Sequence, residues 1–205
     1  MKRNKKQETK RTNVAVKHMK TYVHLFKVAE LSLERVEKGE DNFFYDSMSC
    51  ILFCALSLEA YLNHVGATEF QFWEEGLERL NPSAKLKLIA SERLQVEKIT
   101  LSGFPQKRNP IKISIDFSRR PFQSFKIIFE IRSQLAHGKT SWLIETMPNK
   151  PEAKWEKYCT PQHAKRFLKD TEEIIKFIHS NLYETTQNPF TPDLKFFGIV
   201  ETSSK

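Results

Sequence analysis

The chain has 205 residues, 40% of them hydrophobic and 28% charged, a globular balance too apolar for a disordered protein and a length that suits one ordinary domain or a domain with an appendage. Six glycines leave no room for a long glycine-rich phosphate cradle, and neither a Walker loop nor a dinucleotide fingerprint occurs. The net charge of +8 is concentrated at one end: residues 1–20 hold eight basic side chains against the single acid Glu8, and the other 185 residues carry 25 basic and 24 acidic ones.

Residues 1–14 therefore read as a disordered basic tail, either simply solvated or serving as an electrostatic handle for RNA or DNA through counterion release. A helical domain is expected over 15–185. Met19, Tyr22, Val23, Phe26, Ala29, Leu33 and Val36 recur at three- and four-residue steps, predicting an amphipathic helix that ends at Gly39. Asp41-Asn42 offers a cap for a second helix, Phe43 to Val65, with Gly66 just past its end. Being apolar almost all round, that helix is predicted to form the buried centre. Its most apolar stretch, Met48 to Leu62, is 15 residues long and includes Glu59. That is shorter than the ~20 apolar residues of a bilayer span, so no membrane association is expected.

A short segment with Trp73 and Leu77 follows, and Asn81-Pro82-Ser83 starts a helix through Leu86 and Ile89. Ile111, Ile113, Ile115 and Phe117 then alternate with polar residues, the period of a half-buried strand, and Val96 to Leu101 is its candidate partner. This predicts a small β insertion at about 95–118, with Trp142 to Thr146 a weaker strand candidate. Pro121 suits the start of a helix from Phe122 to Ala136 followed by Gly138, and Thr160-Pro161 opens a long last helix through Leu182. Residues 186–205 form an extended C-terminal segment in which Leu194 to Val200 can return as a strand. The predicted fold class is mainly α, a bundle of four to five long helices with a small β insertion.

Two charges break the pattern. On the 122–136 helix Arg132 falls inside the apolar arc, flanked by Phe125, Ile128 and Ala136. On the second helix Glu59 falls among Met48, Leu52, Ala55 and Leu62. An isolated buried ion is costly, so the economical expectation is that the two face each other. Such a pair either fixes how two helices dock, or anchors Arg132 so that its other nitrogens meet an anion, for which a planar five-donor fork is suited. His137 follows five residues later, about 140° round an ideal helix. Either the helix end distorts at Gly138 or a second copy of the chain supplies the missing half of a site.

The segment Arg132-Ser133-Gln134-Leu135-Ala136-His137, with Ser57-Leu58-Glu59-Ala60-Tyr61-Leu62-Asn63 upstream, resembles the HEPN superfamily, whose hallmark is an arginine and a histidine four to six residues apart near a helix end. The resemblance implies a four- or five-helix bundle and a homodimer whose paired motifs form a metal-independent endoribonuclease site, often in toxins or phage-defence factors. Arg132 would hold the scissile phosphate and His137 would act as acid or base for attack by the ribose 2′-hydroxyl. Glu59, Ser133 and Asn63 would support them, Ser133 standing where the family most often has asparagine. Other members are non-catalytic modules that dimerise and bind RNA or a partner, and that is the alternative reading. A nucleotidyltransferase-like antitoxin is a further partner the resemblance suggests.

Arg119, Arg120 and Lys139 are candidates to frame the site in basic charge for nucleic acid. No cofactor and no metal are expected: Cys50 and Cys54 lie one helical turn apart without a second ligand pair and read as small buried hydrophobes. His163 and His179 lie 16 residues apart on the last helix and read as solvated or interface positions. Trp73, Trp142 and Trp155 read as packing residues with base stacking as the alternative. Three scattered cysteines without a disulfide framework, and an N-terminus with charge but no apolar core behind it, suggest the cytoplasm.

Overall fold

A computed structural model of the chain describes residues 11–16, 20–39, 42–70, 76–91, 98–99, 105–106, 113–138, 153–183, 185–191 and 196–201. It divides into two units, one built from residues 1–20 and 191–205 and the other from residues 21–190. In the first, strand β1 (Arg11–Val16) pairs antiparallel with a strand near the C-terminus, Phe196–Glu201, in register from Arg11 opposite Glu201 to Val16 opposite Phe196. The expectation of a disordered tail to residue 14 is corrected over Arg11–Val14, because a β-former run some 185 residues away supplies the ladder. The residues before Arg11 lie outside the described ones.

The larger unit is mainly α. Helix α1 (Thr21–Glu37) buries Tyr22, Phe26, Ala29, Leu33 and Val36 of the predicted stripe, with Val23 half-buried and Met19 outside the described residues, and Gly39 closes it at φ +73°, where other residues are strained. Helix α2 (Phe43–Glu69) touches each of the four other helices, as befits its apolar circumference, and Ile51, Cys54, Ala55, Leu58 and Leu62 are fully buried on it. At about 1.5–3 kcal/mol for each large apolar side chain buried, this helix carries much of the core. It is also long and apolar enough to cross a membrane, but over half of its most apolar window (56%) is covered by the bundle.

The predicted end of α2 is corrected. Gly66 is a buried interior residue whose carbonyl accepts the Phe70 N–H at 2.9 Å, and the helix runs one turn further than a C′ glycine would allow. Asn42 stands at the N-cap without capping through its side chain. Helix α3 (Pro82–Ala90) starts as expected, with Asn81 Oδ1 accepting the Ala84 N–H at 2.9 Å. Helices α4 (Phe122–Ala136) and α5 (Pro161–Tyr183) complete the bundle, α5 opened by Thr160, whose Oγ1 accepts the His163 N–H.

The β insertion differs from expectation. Lys98–Ile99 (β2) pairs antiparallel with Pro105–Gln106 (β3), and residues 113–116 belong to no strand. Their alternation is nonetheless physical: Ile113, Ile115 and Phe117 turn toward the core while Ser114 and Asp116 are exposed. A period of two reports an extended chain lying on an apolar surface, whether or not a neighbour supplies hydrogen bonds. Residues 186–190, the start of the expected extended C-terminal segment, pack on α1. Tyr22 donates its hydroxyl to the Pro189 carbonyl at 2.7 Å, and the Phe26 and Phe190 rings lie 4.4 Å apart. The C-terminal strand that pairs with β1, Phe196–Glu201, is β4. Trp73, Lys139 and the strand candidate 142–146 lie outside the described residues.

Candidate functional site

Helix α2 projects Glu59 and Asn63 one turn apart on the same face, which is where an i, i+4 pair must fall. Helix α4 brings Arg132 to that face. The Arg132 guanidinium donates from Nη2 to Glu59 Oε2 at 3.3 Å, so the two charges placed in apolar arcs do meet. Their side chains are 34% and 23% exposed, which puts the pair at the rim of the core. Ile131 and Ile128 are buried beside Arg132, whereas Ala136, one turn on, is exposed.

A third charge joins them from α3. The Lys85 side chain is 2% exposed; its ammonium donates to Asn63 Oδ1 at 2.7 Å and lies 3.8 Å from Glu59 Oε1. Lys85 is the residue that sequence reasoning missed. The available signal was its position one turn before the buried Ile89 on a helix whose other lysine, Lys87, is exposed. Asn63 thus enters the site through Lys85.

His137 ends α4. Its backbone N–H closes the last turn on the Ser133 carbonyl at 3.0 Å, and its own conformation, φ −116° and ψ 13°, has left the helix. Its ring is exposed and has no hydrogen-bond or ion-pair partner among the described residues. Gly138 follows because nothing larger fits: a Cβ there would lie 2.8 Å from the Gln134 carbonyl oxygen. Ser133 is exposed on the turn between the two.

Arg119 and Arg120 do not frame this region. They precede α4, and 17 residues at a 1.5 Å rise put Arg120 about 25 Å from His137. Arg119 is 85% exposed beside Asp116, 3.6 Å away, and two hydrogen bonds from Ser118 hold the Asp116 carboxyl below its ordinary range. Arg120, half exposed, is engaged by a buried partner: its Nε lies 3.1 and 3.0 Å from the two oxygens of Asp170, a fully buried residue of α5, and Nη2 and Ser124 Oγ complete the shell. That carboxylate raises the Arg120 guanidinium further above its usual value.

Cys50, Cys54 and Cys159 are buried free thiols, and burial with Cys50 alongside pushes the Cys54 thiol well up. Among the described residues, no group of three or more His, Cys, Asp or Glu side chains is placed to hold a metal ion. His163 packs against Tyr158 and Phe167, His179 against Tyr61 and Tyr183, and Trp155 against Phe44. What the Glu59–Arg132–Lys85 group offers chemically is a tethered guanidinium, a third exposed, whose other donors have no partner among the described residues. No family model, curated protein or solved structure matches this chain.

Proposed function

We propose that this chain is a metal-independent endoribonuclease of the HEPN type, working as a homodimer in the cytoplasm. The observation that carries the reading is the tether of Arg132 to Glu59 through one nitrogen, with the rest of the guanidinium unpaired among the described residues and the exposed His137 ring at the end of the same helix. In this reading Arg132 binds the scissile phosphate and offsets the charge that grows on its oxygens during attack. An imidazole from His137 takes the proton of the ribose 2′-hydroxyl, O2′ bonds to phosphorus, and the 5′-oxygen leaves with a proton from the second His137 of the dimer. The products are a 2′,3′-cyclic phosphate and a 5′-hydroxyl. In this reading a second copy of the chain completes the site, because an ideal helix would set Arg132 and His137 about 140° apart.

The test uses the full chain in EDTA with single-stranded RNA. Arg132→Ala and His137→Ala are each expected to abolish cleavage while light scattering still reports a dimer. Retained cleavage in both variants overturns the chemistry. A toxin or phage-defence role, with a nucleotidyltransferase-like antitoxin as restraint, extends the same reading and is tested by co-expression. One observation favours the second reading, a non-cleaving RNA- or partner-binding module: Glu59 is also bound into the buried Lys85–Asn63 contact, as an architectural ion would be. RNA binding that depends on Arg132, without any cleavage by the wild type, would select it.

A further inference from the structure

Among the described residues, the charges that meet at Glu59 do not cancel. One carboxylate, Glu59, stands between two cations. Lys85 is the inner cation, sealed from water and bonded to Asn63. Arg132 is the outer one, a third exposed, and it reaches Oε2 through a single nitrogen. Arginine and a carboxylate left to themselves commonly close a fork of two parallel bonds. Here the two oxygens are divided instead, Oε1 toward Lys85 and Oε2 toward Arg132.

Packing does not call for a lysine at this position. Leu86 and Ile89 are buried, and the Asn81 cap fixes the start of α3, so the helix has its seat without a charge. An ammonium removed from water is costly, and an apolar side chain of similar volume in such a place is often neutral or stabilising. The charge therefore calls for a role that packing leaves unexplained.

We infer that Lys85 is a positioning residue for Arg132. By holding Oε1 of Glu59 from the buried side, it keeps the carboxylate from closing bidentately on the guanidinium. It thereby leaves Arg132 its remaining donors and the surplus positive charge with which to meet a phosphate. This rests on the reading of Arg132 as the phosphate-binding group.

Two variants cancel the surplus by different routes. Lys85→Gln keeps an amide donor for Asn63 and removes the charge; Asn63→Asp keeps the buried lysine and gives it a carboxylate of its own. Both release Glu59 to Arg132. The probe is phenylglyoxal labelling of Arg132 in the folded full chain, followed by peptide mass spectrometry with and without inorganic phosphate. In both variants Arg132 is expected to label on the order of tenfold more slowly than in the wild type, the equivalent of one added charge-assisted hydrogen bond. Phosphate is expected to protect Arg132 in the wild type, and the variants to need on the order of tenfold more of it for the same protection.

Unchanged or faster labelling in both variants overturns the inference, as does phosphate protection of equal strength in all three proteins. A residue that merely stabilised the fold would lower the melting temperature and leave the labelling rate alone. If Lys85→Gln does not fold, Asn63→Asp carries the test, since it leaves the buried side chain in place. Slowed labelling in the variants with no phosphate protection in the wild type supports the hold of Lys85 on Glu59 and removes the phosphate reading of Arg132, so the two failures are told apart.

Discussion

Arg120 and Asp170, 50 residues apart, are locked together at the end of the bundle where α4 begins, the guanidinium half exposed and the carboxylate fully buried. The contact joins the start of α4 to the middle of α5, with Ser124 as the second donor to the same carboxylate. Arg120→Ala leaves a buried carboxylate with one neutral partner. Removing one partner of a buried pair costs about 3–5 kcal/mol, and the low end applies because half of the guanidinium already lies in water. Urea unfolding of Arg120→Ala is expected to show that loss, whereas Arg119→Ala, next in sequence but solvated, is expected to match wild type. Equal stability of the two variants would contradict the pairing.

Glu59→Gln tests the other charge cluster. The substitution keeps the shape and leaves both Lys85 and Arg132 without their counter-ion. An unsatisfied, partly buried group costs about 1–3 kcal/mol, and for a protein of this size 1 kcal/mol moves the melting temperature by about 2–4 °C. Calorimetry is expected to register a lower Tm for Glu59→Gln and to lose most of that difference in the background Lys85→Met, where one stranded cation is gone. A Glu59→Gln protein that melts like wild type would mean the carboxylate holds neither cation.

Much of this arrangement was legible in the chain. Helical periodicity located the buried stripe of α1 and the central role of α2, and two charges in apolar arcs located the Glu59–Arg132 contact, because the cost of an unpaired ion is independent of fold detail. Most of the failures share a cause, which is dependence on partners distant in sequence. Ile113 to Phe117 lies extended on the core without a ladder, since a period of two fixes the side chains and not the backbone partner. The pairing of Arg11–Val16 with Phe196–Glu201 spans nearly the whole chain. Arg120 looked like surface charge because Asp170, its partner, sits on another helix. Lys85 was missed since α3 has only nine residues, too few for one lysine to stand out against the pattern.

His163 gives the helical unit a defined response to acid. Burial, followed by the cations Arg166 and Lys157, lowers its pKa below the ordinary value of 6.5, while Thr160 Oγ1 lies 2.9 Å from Nδ1 and the Tyr158 and Phe167 rings flank it. The unfolded chain therefore takes up the proton first. Its contribution is present above pH 6.5 and is lost as the pH falls from there through the lower folded value. Wild type is expected to lose stability between pH 7 and pH 5, and His163→Gln to lose less over the same interval, as read by denaturant titration at each pH. Parallel curves for the two proteins would show that the ring titrates alike in both states.

Gly138 offers the sharpest test of how the end of α4 is built. A methyl group at this position would meet the Gln134 carbonyl oxygen at 2.8 Å, and since that oxygen belongs to the backbone, no side-chain rotation relieves the contact. The chain must yield by shifting the last turn, which carries Ser133 and His137, at the cost of about 1–3 kcal/mol typical of an overpacked site. Gly138→Ala is therefore expected to lower the melting temperature, and also to disturb the His137 ring. Histidine NMR resonances separate the two effects: the His137 signal is expected to shift, and that of His163, which stands on α5, to stay in place. A variant with wild-type stability and an unmoved His137 resonance would show that the helix end has slack the close approach does not allow.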